Sequence, residues 1–97
     1  MHSDHPAQDL ESVVDENTQF IDVRPAVMLA DGAVEGTTSI PMDDLGDNLD
    51  QLDRDRRVVL ICRSGKTSKK AAKFLDANAF VDVINLEGGM LALDKAN

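Results

Sequence analysis

Tryptophan and tyrosine are absent from this chain, and phenylalanine occurs three times in 97 residues. The core must therefore be aliphatic, and little is available to build a base-stacking surface for nucleic acid. Cysteine occurs once, as Cys62, so no internal disulfide braces the fold. A reducing, cytoplasmic compartment is the simpler expectation. Basic residues are also scarce: 10 lysines and arginines stand against 18 aspartates and glutamates, a net charge of −8. That balance argues against general attachment to phosphate backbones or anionic lipid, because both reward basic patches. No apolar run approaches the roughly 18–20 residues of a membrane-spanning helix. The amino-terminal stretch carries neither the basic nor the apolar region of a secretory signal. Neither nucleic acid nor membrane is an expected partner.

What is present reads as one small folded domain over residues 1–97, with residues 1–5 expected to form a flexible tail. Hydrophobic residues make up 42% and charged residues 29%, unlike a disordered segment. The charge is unevenly spread. Asp43, Asp44, Asp47, Asp50, Asp53 and Asp55 form one acidic stretch, whereas Arg63, Lys66, Lys69, Lys70 and Lys73 gather beside the single cysteine. His2, Asp4 and His5 are metal-ligand types close together, but a terminal cluster without a further ordered ligand reads more simply as tail, and no metal is expected.

Along the chain, strand patterns alternate with helical ones. The segment PAQDLESVVDEN from Pro6 predicts a short helix with Leu10, Val13 and Val14 on one face. Phe20–Val23 predicts a strand that stops at Arg24 and Pro25. Val27, Met28 and Leu29 fit one helical turn closed by Gly32, and TTSIP fits a second short strand stopped by Pro41. In MDDLGDNLDQL, Met42, Leu45, Leu49 and Leu52 recur at helical spacing with aspartates opposite, despite Gly46. The run Val58–Ile61 is apolar throughout, as in a strand covered on both faces. After the polar loop CRSGKTS, Ala71, Ala72, Phe74, Leu75 and Ala79 line one side of a helix whose other side carries Lys69, Lys70 and Lys73. VDVINL predicts a last strand, EGG a turn and MLALDKA a terminal helix. This alternation predicts an α/β fold: three layers, with a mostly parallel central sheet flanked by helices.

The chemistry concentrates in CRSGKTS. Gly65, Lys66 and Thr67 look like the end of a phosphate-cradling P-loop, but the first glycine of that pattern falls on Leu60, inside the strand. What remains is a cysteine at a strand's carboxyl end, where ligands of open α/β sheets bind, followed by a short loop that opens a helix. The helix end, Arg63 and Lys66 all favour the thiolate and can hold an anionic group on sulfur. A lone cysteine ending an apolar strand is otherwise a small buried hydrophobe. The polar glycine loop and its cations favour a reactive group. Asp22 and Arg24 either support this loop or form a surface ion pair at a strand end. Gly88 and Gly89 most simply permit a tight turn.

CRSGKTS resembles the active-site loop of the rhodanese-like sulfurtransferases, in which a cysteine opens a six-residue loop. FIDVRP resembles that family's Asp-Val-Arg strand, SIPMDDL its Ile-Pro element, and VINLEGGMLAL its closing Leu-x-Gly-Gly segment, in the same order and spacing across residues 20–93. The departures are Val27 and Met28 after the Asp-Val-Arg strand, Ala33 where the family has histidine, and Leu93 where it has an aromatic. The resemblance implies a sulfurtransferase that moves sulfane sulfur from thiosulfate or a persulfide donor, through a persulfide on Cys62, to a thiol or cyanide. It implies that Arg63, Ser64, Gly65, Lys66, Thr67 and Ser68 bind the substrate, that Asp22 and Arg24 support the loop, and that no cofactor is needed. Related phosphatases and arsenate reductases carry a loop one residue longer that ends in arginine, where Thr67 stands here. A protein-binding module acting through the acidic stretch is the other alternative.

Overall fold

The computed structural model describes residues 2–96. Its centre is strand β4, Val58–Ile61, in which every side chain is buried. Because successive side chains point to opposite faces, Val58, Leu60 and Cys62 enter one core while Val59 and Ile61 enter another. A strand covered on both faces has no use for alternation, which accounts for the unbroken apolar run. Strand β2, Gln19–Asp22, and strand β5, Val83–Glu87, lie on either side of it in parallel register. Strand β3, Thr38–Ser39, extends the sheet beyond β2, and strand β1, Ser3–Pro6, extends it beyond β5. The order is β1-β5-β4-β2-β3, with every pairing parallel.

Helix α3, Lys66–Ala77, buries Ser68, Ala71, Ala72 and Leu75 against one face of the sheet. Helix α2, Met42–Leu45, adds Leu45 to the same core. On the other face, Ala7 of the 3-10 turn Ala7–Asp9, Val13 of α1 (Leu10–Val13) and Met90 and Leu93 of α4 (Gly89–Ala96) pack on Phe20, Ile84 and Leu86. The three layers expected from the sequence are present, and the mostly parallel sheet is wholly parallel.

Several elements differ from their sequence pattern. Residues 1–5 read as a tail, yet Ser3–Pro6 pairs with Ile84–Glu87 as an edge strand. The cause is long-range, because β5 has an open edge that a polar, proline-ended strand can fill. The helix expected through Leu52 is α-helical only to Leu45 and continues as the 3-10 turn Gly46–Gln51. Gly46 weakens the helix at that point. The strand expected from TTSIP contains only Thr38–Ser39. Ala79, expected on the apolar face of α3, lies beyond the helix end, exposed and at φ +68°.

Candidate active site

Cys62 follows the last residue of β4, and α3 begins four residues later at Lys66. So short a connection must reverse direction sharply. Gly65 does this at φ +94°, in the left-handed region that favours glycine. No side chain caps the helix, so its first amides are free to face the cysteine. The Gly65 N–H donates to Cys62 Sγ at 3.1 Å and the Ser68 N–H at 3.2 Å. Sγ also lies 3.3 Å from Ser68 Oγ. Cys62 is 3% exposed, but its sulfur faces hydrogen-bonding groups rather than hydrocarbon alone.

The loop is held from outside by the start of α4. Met90 N–H donates to the Cys62 carbonyl and Leu91 N–H to the Arg63 carbonyl, both at 2.9 Å. These bonds turn the two carbonyls outward, while the Gly65 and Ser68 amides face the sulfur. The contact requires Gly89, because a Cβ there would lie 2.8 Å from the Arg63 carbonyl carbon. Likewise a Cβ on Gly65 would meet the Gly88 nitrogen at 2.9 Å. The EGG turn therefore borders the loop as well as turning the chain.

Asp22 and Arg24 form a buried pair, so the surface reading does not hold. Arg24 Nε contacts both Asp22 carboxylate oxygens at 3.0 and 2.9 Å, and Nη2 donates to Oδ2 at 2.7 Å. Nη2 also donates to the Gly32 carbonyl at 2.8 Å. The Asp22 hydrogen bonds hold the Arg24 pKa above its ordinary value despite burial, with further contributions from the charges of Asp22, Asp31 and Cys62. A permanently charged guanidinium thus lies within electrostatic reach of the sulfur.

The remaining predicted site residues divide by exposure. Arg63, Ser64 and Lys66 are exposed at the rim, Thr67 is half-buried, and Gly65 and Ser68 are buried beneath it. A hollow of about 270 Å³ opens beside Ser64, Lys66 and Lys69. Another of about 510 Å³ lies across the loop, between Pro25, Pro41, Met42, Asp43, Thr67 and Lys70. Lys69, Lys70 and Lys73 lie on the exposed side of α3. Among the described residues, no three His, Cys, Asp or Glu side chains converge as a metal site.

A family model for the rhodanese-like domain matches residues 6–96. The chain belongs to that family. This rhodanese-like domain is 40% identical over 78 residues to the protein YtwF of Bacillus subtilis, covering 80% of this chain and 75% of YtwF. It is 32% identical over 82 residues to the thiosulfate sulfurtransferase GlpE of Shewanella oneidensis, covering 84% and 81% of the two chains. Among solved structures, a rhodanese-like domain protein from Staphylococcus aureus superposes with a TM-score of 0.83 at 32% identity, covering 95% of this chain and 90% of that one.

Sequence reasoning missed Asn85 of β5 and the amides of Met90 and Leu91. Asn85 is 1% exposed, and the signal for it was available: a polar residue inside the apolar run Val83–Leu86 must find partners if that strand is covered on both faces. The amides carry no side-chain signal.

Proposed function

We propose that this rhodanese-like domain is a sulfurtransferase that carries sulfane sulfur on Cys62. The observation that carries this reading is the pair of backbone N–H groups from Gly65 and Ser68 directed at Sγ. Two fixed donors stabilise an anionic sulfur more than a neutral one, and they need no reorganisation when charge develops. A cysteine serving only as a small hydrophobe needs neither donor.

With thiosulfate as donor, the Cys62 thiolate attacks the outer sulfur. The new Sγ–S bond forms as the S–S bond of thiosulfate breaks, and sulfite leaves with the electron pair. An acceptor such as cyanide or a thiolate then attacks the outer sulfur of the Cys62 persulfide, and Sγ departs as thiolate. Electrons balance without a cofactor. Arg63 and Lys66 attract the anionic donor at the rim, and Asp22 and Arg24 brace the strand end behind the loop. The short loop suits a single sulfur atom better than a phosphoryl group. The relatives named sulfurtransferases support the same reading. A reducing compartment, the cytoplasm included, suits a function that depends on one free thiol.

Intact mass after exposure to thiosulfate should show a gain of one sulfur atom, removed by cyanide with release of thiocyanate and absent from Cys62→Ser. No gain in the wild-type chain would sink the proposal.

A further inference from the structure

Among the described residues, the buried polar side chains are Asp22, Arg24, Ser68 and Asn85. Asp22 and Arg24 satisfy each other, but Ser68 and Asn85 connect Cys62 to the amino-terminal edge strand. Cys62 Sγ faces Ser68 Oγ, Ser68 Oγ donates to Asn85 Oδ1, and Asn85 Nδ2 donates to Asp4 Oδ1 at 3.0 Å. Register makes this possible, since Asp4 and Asn85 are directly opposed across β1 and β5.

The direction of the chain is set at its far end. A carboxylate only accepts, so Asp4 obliges Asn85 to turn its NH2 toward β1 and its oxygen toward Ser68. Facing that oxygen, Ser68 donates its single hydroxyl hydrogen there. An oxygen lone pair is then left toward Sγ. It accepts hydrogen from a thiol and repels an anionic sulfur.

We propose that Asp4 is a positioning residue for Cys62: by fixing the Asn85 amide it locks the Ser68 hydroxyl hydrogen away from sulfur and so withholds a third donor from Sγ until that hydroxyl turns. The inference rests on Cys62 being the sulfur-carrying nucleophile. Rotation about the Ser68 Cβ–Oγ bond moves the hydroxyl hydrogen from Asn85 to Sγ. The thiolate thereby gains a third donor, and Asn85 Oδ1 loses its partner. Asp4, with a side chain 29% exposed, is the link that meets solvent, while Cys62, Ser68 and Asn85 do not. The titratable groups facing Asp4 are His2 at 3.3 Å and Lys69 of α3 at 3.9 Å. Those around the sulfur are Arg24 with its partner Asp22, and Arg63 and Lys66 at the rim.

Asp4→Asn keeps the size of the side chain but lets either end of an amide face Asn85. Asn85 can then reverse and donate to Ser68 Oγ, which frees the hydroxyl for sulfur. With one cysteine and no tyrosine, the ultraviolet absorbance of the thiolate reports Cys62 alone. Its pH profile in Asp4→Asn should move toward acid by about one unit relative to wild type. Removing a nearby negative charge would favour the thiolate by field alone, so the same substitution is repeated in Asn85→Ala and Ser68→Ala backgrounds. If Asp4 acts through Asn85 and Ser68, it moves the profile no further there. An equal displacement in all backgrounds, or none in the wild-type background, overturns the proposal. Sulfur loading by intact mass, measured on the same samples, tests the sulfurtransferase reading separately, because the titration requires no sulfur transfer.

Discussion

Gly89 and Arg24 show how much of the site depends on single residues outside the loop. Gly89 sits at φ +53° against the Cys62 and Arg63 backbone. In Gly89→Ala the added methyl must push the loop carbonyls away, on top of about 1–3 kcal/mol of left-handed strain. Urea unfolding should register that loss. Sulfur loading should fall by about a hundredfold, comparable to losing one fixed donor at a developing anion. Arg24 poses a different problem. Arg24→Leu leaves the Asp22 carboxylate buried without its guanidinium, which should cost about 3–5 kcal/mol. Substituting Asp22→Asn in the same chain should recover part of it, and denaturant midpoints of the single and double variants check both statements. The glycine's role was only half legible in the sequence: EGG announces a turn, but what that turn presses against is the end of a strand far earlier in the chain, since Met90 bonds to Cys62. The Asp22–Arg24 pair could be read as a support for the loop or as a surface ion pair until the fold buried it at a covered strand end.

At the scale of elements, β1 is the piece whose local pattern says least. Ser3–Pro6 is polar and ends in proline, as an edge strand does, and a flexible tail has the same composition. Its attachment includes Asp4, whose carboxyl is raised by burial but more strongly lowered by the Asn85 hydrogen bond and the charges of His2 and Lys69, so its pKa lies below the usual 3.8. A carboxyl with a depressed folded-state pKa contributes stability that is complete above its unfolded value and is lost as pH falls through the folded one. The thermal midpoint of the wild type should therefore exceed that of Asp4→Asn at neutral pH, and the gap should close below about pH 3.8. A gap independent of pH would show that the carboxylate's charge plays no part in docking β1. The α3 helix was far more legible, because Ala71, Ala72 and Leu75 repeat at helical spacing and the glycine before Lys66 announces the start. The helix from Met42 was overextended, because hydrophobic spacing alone does not distinguish an α-helix from a 3-10 turn that follows glycine.

For the whole molecule, the division of charge matters more than its sum. A body of net charge −8 repels thiosulfate at long range, while Arg63 and Lys66, exposed at the rim, offer the anion a local cationic approach. Added salt should weaken both effects, since exposed charges are screened beyond roughly 8–10 Å at moderate ionic strength. Lys66→Gln should lower kcat/KM for thiosulfate severalfold at low salt and little at high salt, with kcat less affected. Steady-state thiocyanate formation across a salt series measures this, and an equal loss at every salt concentration would mean that Lys66 acts by direct contact. At the opposite end of the sheet, Arg57 pairs with Asp82 at 2.8 Å and donates to the Val13 carbonyl, so the hollow of about 470 Å³ that these two residues line is braced by its own ion pair.

The alternation of strand and helix, the strand covered on both faces and the placement of a cysteine at its carboxyl end were all determined by the sequence, because each depends on neighbours within a few residues: periodicity, glycine and proline positions, apolar runs. The family likeness was legible for the same reason, since it resides in short motifs in order. Which strands lie side by side was decided only in three dimensions. The order β1-β5-β4-β2-β3 brings Asp4 to Asn85, 81 residues away, and α4 to the cysteine loop. The order and register of the strands come from long-range burial, which no local pattern encodes. The sulfur's donors could be foreseen from a helix start, whereas the link from Ser68 through Asn85 to Asp4 could be traced only once β1 had docked on β5.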